Sequence, residues 1–347
     1  MPSLRFLPLA LLCVAPLAAQ NASRHSLRGS EVALYNLAGT VQIEAGSGDA
    51  VAVEVTRGGA DLTRLRIGEG ELDGRATLRV IYPGDRVRYP RMGDGSTELR
   101  VRQDGTFGDH DHEGGGRRVR ISSEGGLEAW ADLRIAVPAG RSVAVHLAVG
   151  NLTATNVDGR LQLQASNAPV TVNGVRGGLD VEVGSGEVQL TATEGEVRVT
   201  TGSGGVQLTK AKGRALAIQT GSGDVAASGL EADELAVQTG SGDVRVTAVK
   251  APRVALETGS GGVTVELQGE VDRLEIGTGS GDIAITAPAN LSAQLELQTA
   301  SGEIDSDFPL AVTRSGRDHL RGTVGDGKGK ISVETGSGGV RLLRARS

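Results

Sequence analysis

Aromatic side chains are almost missing from this chain. It has one Trp, three Tyr and three Phe in 347 residues, 2% of the total. A globular enzyme normally uses such rings to fill a thick core and to shape a pocket. Their scarcity predicts a thin core built from Val, Leu, Ile, Ala and Thr. Cysteine is scarcer still. The single one, Cys13, follows Leu11 and Leu12, where lipid attachment wants a small residue. A lone cysteine excludes any disulfide within the chain. The net charge of −6 provides no basic footprint for nucleic acid and no polybasic patch for a membrane. No apolar run reaches the ~20 residues of a spanning helix. Beyond residue 19, no stretch carries a convincing helical period.

The N-terminus has the pattern of an export signal. Arg5 supplies a positive charge, Phe6 to Leu17 is apolar, and Ala18-Ala19 are small. This predicts cleavage before Gln20. The expected destination is the periplasm or the cell surface. Cleavage removes Cys13, so the mature chain has no thiol chemistry.

What the chain has in excess is glycine, 53 residues, without the strict Gly-X-Y period of collagen. Much of it falls in a recurring Gly-Ser-Gly-acid/Gly motif. The motif stands at Gly46, Gly184, Gly202, Gly221, Gly240, Gly259, Gly279 and Gly336, with weaker copies at Ala165 and Ala300. From Gly184 the steps are 18, 19, 19, 19 and 20 residues. The flanking residues alternate, as in Leu216-Ala217-Ile218-Gln219-Thr220 before a motif and Val244-Arg245-Val246 after one. Period two with β-branched residues on one face is the signal of a half-buried strand. One such repeat buries too few aliphatic side chains to offset the entropy of ordering it. Stacking on neighbours of equal length supplies the rest. The expected fold is therefore all-β, a β-solenoid of stacked ~19-residue two-strand rungs joined by Gly-Ser-Gly turns, rising ~4.8 Å per rung.

The expected organisation is a signal peptide over 1–19, an irregular N-terminal β region over 20–139, and a regular β-solenoid over 140–347. Two interruptions stand out. The charged, glycine-rich stretch 84–118 reads as an exposed insertion or a disordered loop. A second insertion, 306–330, precedes the terminal rung.

Certain motifs are similar to those of a known family. They are Leu34-Tyr35-Asn36-Leu37-Ala38-Gly39-Thr40-Val41, the strand opening Val137-Pro138-Ala139-Gly140, tandem Thr-Gly-Ser-Gly rungs, and a closing segment from Gly325 to Gly338. This pattern resembles the bacterial putative-adhesin β-strand-repeat family of unknown function. Autotransporter adhesin head domains look similar. The resemblance implies a repetitive all-β fold and a non-enzymatic adhesive or envelope-structural role.

Candidate chemistry is sparse. Asp109-His110-Asp111-His112-Glu113 offers two imidazoles and three carboxylates to a divalent metal, although a glycine-rich loop is a poor frame for fixed ligands. The motif acids Asp49, Asp224, Asp243, Asp282, Glu187 and Glu303 could form a stacked row for calcium. However, Gly205, Gly262 and Gly339 interrupt the row, and Asp favours turns for local hydrogen-bonding reasons. Gly322-Thr323-Val324-Gly325-Asp326-Gly327-Lys328 matches part of a phosphate-binding loop. Gly329 stands where the magnesium hydroxyl belongs, and no helix follows. None of His25, His110, His112, His146 and His319 lies beside a nucleophile signature. No catalytic, cofactor or metal residue is assigned. The expected function is that of an exported non-enzymatic β-repeat protein, an adhesin or an envelope binding or structural protein. The partner would be an unspecified envelope, polysaccharide or protein surface, presented to flat faces carrying Gln219, Gln238, Arg245 and Glu257. The alternatives are a carbohydrate-active or metal-dependent enzyme using the Asp109–Glu113 loop, and an envelope sensor.

One structural expectation is specific. Thr201, Thr220, Thr239, Thr258, Thr278, Thr299 and Thr335 share the parity of core residues such as Ile218 and Val237. They should point inward, and their hydroxyls should bond the turn backbone or a threonine one rung away. The motif serines should assist at each bend.

Overall fold

The computed structural model describes residues 21–108 and 115–345. Over that range the chain is built from β-strands and turns, with single 3₁₀ turns at Leu62–Arg64 and Pro90–Met92. In Leu179–Ser185, Val197–Ser203 and Arg253–Ser260, alternate residues are buried. Strands of successive repeats pair in parallel and in register. On the first face Leu161, Leu179, Val197, Leu216, Leu235, Val254 and Leu274 lie one above another. On the second face Val170, Val188, Val206, Val225, Val244, Val263 and Ile283 do the same. Inward residues of both faces form one continuous hydrophobic core. The fold is the all-β solenoid of two-strand rungs that the period implied.

The turns explain the glycines. Gly242 adopts φ +141°, and a Cβ there would overlap the Gly223 carbonyl one rung below. At Gly240 a Cβ would come 2.5 Å from the Gly221 carbonyl oxygen. Rungs can approach to β-spacing at this corner only without side chains. The opposite corner has a left-handed stack of its own, with Asn156, Ala192, Lys210 and Ala248 at φ 53–57° alongside Gly174 and Gly229. For a non-glycine residue this conformation costs roughly 1–2 kcal/mol. The corner tolerates it because neighbouring amides are bonded, Ala192 to the Thr209 carbonyl and Lys210 to that of Ser228, both at 2.9 Å.

All seven motif threonines are buried. Six donate to a glycine carbonyl of an adjacent rung's turn: Thr220 to Gly204, Thr239 to Gly223, Thr258 to Gly242, Thr278 to Gly261, Thr299 to Gly338 and Thr335 to Gly281, at 2.9–3.5 Å. Thr201 donates within its own turn, to Ser203. The serines act differently from expectation. Ser203, Ser222, Ser241 and Ser260 stack in register but are exposed. They contribute through backbone carbonyls, as when Ser241 accepts the Gly223 amide at 2.9 Å.

Two further features differ from the sequence expectation. The terminal rung does not lie at the end of the stack. Gly329–Ser337 pairs with Arg273–Ser280 on one side and Ala293–Ser301 on the other. The last rung is thus inserted beneath the one that precedes it in sequence. The hairpin Ala311–Ser315/His319–Val324 then covers Ala293–Ser301 in antiparallel fashion. Second, the segment 84–118 is not simply a loop. Arg86–Arg88, Ser96–Val101 and Arg117–Ser122 join Leu127–Glu128 in a separate four-stranded sheet. Its inward residues Val87, Val101, Val119 and Ile121 are buried.

At the N-terminal end the long strands Glu31–Ala45 and Arg141–Thr155 run through both faces and pair along almost their whole length. The bend is at Gly39 and Gly150, with φ +141° and +143°. Beneath it Asn36 is fully buried. Its Nδ2 donates to the Ala38 and Ala131 carbonyls at 3.1 and 2.7 Å. The Tyr82 hydroxyl donates to Asn36 Oδ1 at 2.9 Å and lies 3.0 Å from the Ala38 carbonyl. Burial pushes the Tyr82 phenol well above its ordinary range.

Two outcomes follow. Thr239→Val removes a donor from the Gly223 and Ser241 carbonyls, and should lower stability by about 1–2 kcal/mol despite added apolar volume. Denaturant unfolding checks this, and an unchanged or raised midpoint contradicts it. Tyr82 keeps its proton in the folded state to higher pH than in the unfolded chain. Its contribution is therefore complete below the ordinary phenol pKa of about 10 and is lost as pH rises further. Tyr82→Phe should cost about 1–3 kcal/mol at neutral pH. It should also flatten the alkaline fall in stability, measured by unfolding at pH 8 to 11.

Candidate functional site

Alternation that buries one half of each strand presents the other half to solvent as vertical columns. On the first face Gln164, Glu182, Thr200, Gln219, Gln238 and Glu257 are in register. On the second face Thr155, Asn173, Thr191, Thr209, Ser228 and Thr247 form an uncharged column of short hydrogen-bonding groups. Gln219, Gln238, Arg245 and Glu257 are all exposed, as expected.

A third column runs along the left-handed corner. Asp158, Arg176, Glu194, Lys212, Glu231 and Lys250 bridge rung to rung and alternate in sign. Arg176 and Glu194 approach to 4.0 Å, Lys212 and Glu231 to 3.0 Å. Exposed pairs such as these contribute little each. Their alternation avoids the like-charge stacking that a parallel array would otherwise impose.

The motif acids are turn elements. Asp224 Oδ1 accepts the Asp243 amide, Asp243 Oδ1 the Gly262 amide and Asp282 Oδ1 the Gly339 amide, each at 2.8 Å. Each acid thus caps the next turn, and a glycine suffices where the residue acts as donor only. Asp49 accepts from Arg141 through its backbone carbonyl at 2.6 Å. The Glu187 and Glu303 carbonyls accept the Val170 and Val340 amides.

The most varied polar cluster lies where the first face begins. Tyr35, His146, Gln164 and Glu182 follow one another in register. The His146 ring stacks on Tyr35 at 4.3 Å, with Phe107 edge-on to both. His146 Nδ1 lies 2.6 Å from Gln164 Oε1. Gln164 Nε2 donates to the Gly108 carbonyl at 2.8 Å and to Glu182 at 3.1 Å. Those two bonds fix the amide orientation, so His146 Nδ1 carries the proton. Arg75, Gln162 and Asp180 complete a recess of about 240 Å³. Phe107 and Gly108 are held there by the preceding turn. Burial alone would raise the Asp104 carboxyl, but hydrogen bonds from the Thr106 amide and hydroxyl, with Arg79 nearby, hold it below the usual carboxylate range. The recess offers hydrogen bonds and charge of both signs to a small polar group. Among the described residues its lining includes no hydroxyl or thiol nucleophile.

A wider recess of about 390 Å³ lies against the C-terminal hairpin, beside Arg314, Asp318, His319 and Glu334. His319 Nδ1 bonds Asp318 at 2.7 Å and holds that carboxyl below its usual range. His25 bonds Glu69 at the other end of the molecule. The three described histidines therefore occupy separate places. The candidate ligands Asp109–Glu113 lie outside the described residues. Among the described residues no group of three or more His, Cys, Asp or Glu is placed to hold a metal. No described helix is long and apolar enough to cross a membrane. The phosphate-loop-like segment 322–328 is the end of a strand and a tight turn, with the Asp326 and Lys328 amides bonded to Ser292 Oγ. Sequence reasoning missed the His146 cluster. The available signal was that Tyr35, Tyr82, Tyr89, Phe107 and Trp130, most of the few aromatics, all fall before the regular rungs.

The family model described as Toastrack DUF4097 matches residues 133–343. Among solved structures, the chain is similar to a putative adhesin from Bacteroides fragilis at 11% identity, covering 93% of this chain and 96% of that one, with a TM-score of 0.40. It is also similar to a putative adhesin from Parabacteroides merdae, at 11% identity, 94% and 95% coverage and a TM-score of 0.32. A putative cell adhesion protein from Clostridium sporogenes matches at 11% identity, 93% and 99% coverage and a TM-score of 0.21. Identities and scores this low carry nothing about function. No curated protein matches the chain.

The turn role of the motif acids has a direct consequence. Asp243→Ala should lower stability by about 1 kcal/mol, whereas Asp243→Asn, which keeps an acceptor, should lose less. Millimolar calcium should leave the melting temperature of the parent chain unchanged. A calcium-dependent rise that Asp243→Asn abolishes would show that the acids are ligands instead.

Proposed function

The chain belongs to the Toastrack DUF4097 family, and from that membership and the geometry of its faces we propose that it is an exported, non-enzymatic β-repeat protein. It acts by adhesive or structural binding at the cell envelope. In this proposal residues 1–19 are the export signal, 20–139 an irregular β region that starts the stack, and 140–347 the repetitive binding body.

The observation that carries the reading is the pair of outward polar columns, held at rung spacing by a rigid aliphatic core. A flat lattice of amide, hydroxyl and carboxylate groups repeating every ~4.8 Å suits a long partner that presents repeated polar groups. Individually weak contacts then add through multivalency. An envelope polysaccharide is the partner class that matches this chemistry. Thinness of the core supports binding over catalysis, since an enclosed pocket needs bulk to surround it.

The test is retention of the purified chain on isolated envelope polysaccharide, with N-terminal sequencing of the protein recovered from envelope fractions. Retention is expected, together with a chain beginning at Gln20. Paired substitutions to Lys should weaken it at least tenfold when made in the binding column, Gln219 and Gln238 on the first face or Thr191 and Thr209 on the second. The melting temperature should stay the same. Release of soluble sugar fragments, or no retention on any envelope fraction, would overturn the proposal.

A further inference from the structure

A solenoid has two ends, and each end of this one leaves sheet edges open. At the N-terminal end the first face finishes with Arg66–Leu72, which among the described residues pairs only with Arg75–Ile81. Among the described residues the second face finishes with Ala22–Leu27, paired only with Val51–Gly58. At the C-terminal end the corresponding edges are Ala311–Ser315, which among the described residues pairs only with His319–Val324, and Ile304–Ser306, which among them pairs only with Val340–Arg344. Open edges are templates for further strands, and soluble proteins normally blunt them. Here Ala311–Ser315 is exposed throughout. It carries Val312, the exposed large hydrophobic side chain of the described surface, at 51% exposure.

The charges at these edges complement one another face by face. On the first face the N-terminal edge and its turn hold Glu69, Glu71 and Asp73 against one Arg66, while the C-terminal edge and its turn hold Arg314 and Arg317 against one Asp318. On the second face the signs reverse. The N-terminal edge carries Arg24 and is followed by Arg28, while the C-terminal edge carries Asp305 between Glu303 and Asp307. All of these carboxylates and guanidinium groups belong to exposed residues.

We infer that the chain associates with further copies of itself head to tail, the C-terminal edges of one copy extending the N-terminal edges of the next. Continued strand pairing provides the affinity, as in β-strand addition. The reversed signs on the two faces fix the rotation. Turning one copy by half a turn about the solenoid axis places Glu69 and Glu71 over Asp305, acid against acid. A contact joining different patches on the two partners leaves one free end of each kind after every addition, so assembly continues beyond a dimer. It uses the ends and not the faces, and stands whether or not the faces bind polysaccharide.

Sedimentation velocity and light scattering over a range of protein concentrations test this. Mass should rise beyond that of a dimer as concentration increases, and 1 M salt should weaken association at least tenfold. Arg314→Glu makes both first-face edges acidic, and Glu71→Arg moves both towards basic. Each variant alone should associate at least tenfold more weakly. An equimolar mixture should recover assembly, because each altered end then meets its complement. Circular dichroism and melting of each variant establish that both are folded. A wild-type monomer at every concentration would overturn the inference, as would a mass that stops at the dimer. Folded variants that assemble like the parent would also overturn it, as would a mixture that fails to recover.

Discussion

The structure depends on the contact between one Gly-Ser-Gly turn and the next. Three kinds of bond meet there. The second glycine of a motif donates its amide to the serine carbonyl one rung on, as Gly242 does to Ser260 at 2.9 Å. A threonine from an adjacent rung donates its hydroxyl to that glycine's carbonyl, as Thr258 does to Gly242 at 3.0 Å. A motif acid caps the following amide, as Asp243 does for Gly262. None of these bonds exists within an isolated repeat. The turn thus converts a repeat that cannot fold alone into a stack whose members hold one another. Steps of 18 to 20 residues are accommodated in the loose turns, as between Lys212 and Leu216, so that all three bonds keep their place.

Rigidity of that corner determines what the rest of the molecule can do. With Val, Leu and Ile filling a narrow interior, little volume remains for an enclosed catalytic site. The outward residues are instead held as a lattice. In the proposed binding role, what is recognised depends on which side chains stand in the columns, and the columns differ. The first-face column mixes glutamine and threonine with carboxylates, and the second-face column is a run of threonine, asparagine and serine. The most varied cluster among the described residues, around His146, lies where the regular stack meets Phe107 and aromatic side chains become available.

Much of this was legible in the residues. Period two, repeat length and the parity of Thr220 and Thr239 with Ile218 and Val237 determine the rungs and the buried hydroxyls without any knowledge of contacts. The alternating corner column Asp158, Arg176, Glu194, Lys212, Glu231, Lys250 was equally available, at steps of 18 or 19 residues, but shows itself only once the loose turns are aligned. Other features were not legible. Lys330-Ile331-Ser332-Val333 matches any rung, so its pattern is equally satisfied above or below Ala293–Ser301; axial order is not encoded by alternation. The small sheet within 84–118 was hidden because high charge and glycine content resemble those of a solvated loop. Short strands such as Arg86–Arg88 become strands through partners far away in sequence. The His146 recess joins residues from Tyr35 to Glu182, a separation that no local motif marks.

The turns hold the rungs together as firmly as the strands between them do. Native-state hydrogen exchange of the Gly223, Gly242 and Gly261 amides tests this directly, since these donate to Ser241, Ser260 and Ser280 at 2.8–2.9 Å. These amides should exchange as slowly as core strand amides such as that of Val237, opening only with the whole stack. Rapid exchange at the three glycines alongside slow exchange in the strands would show that the turns fray independently, and would contradict this.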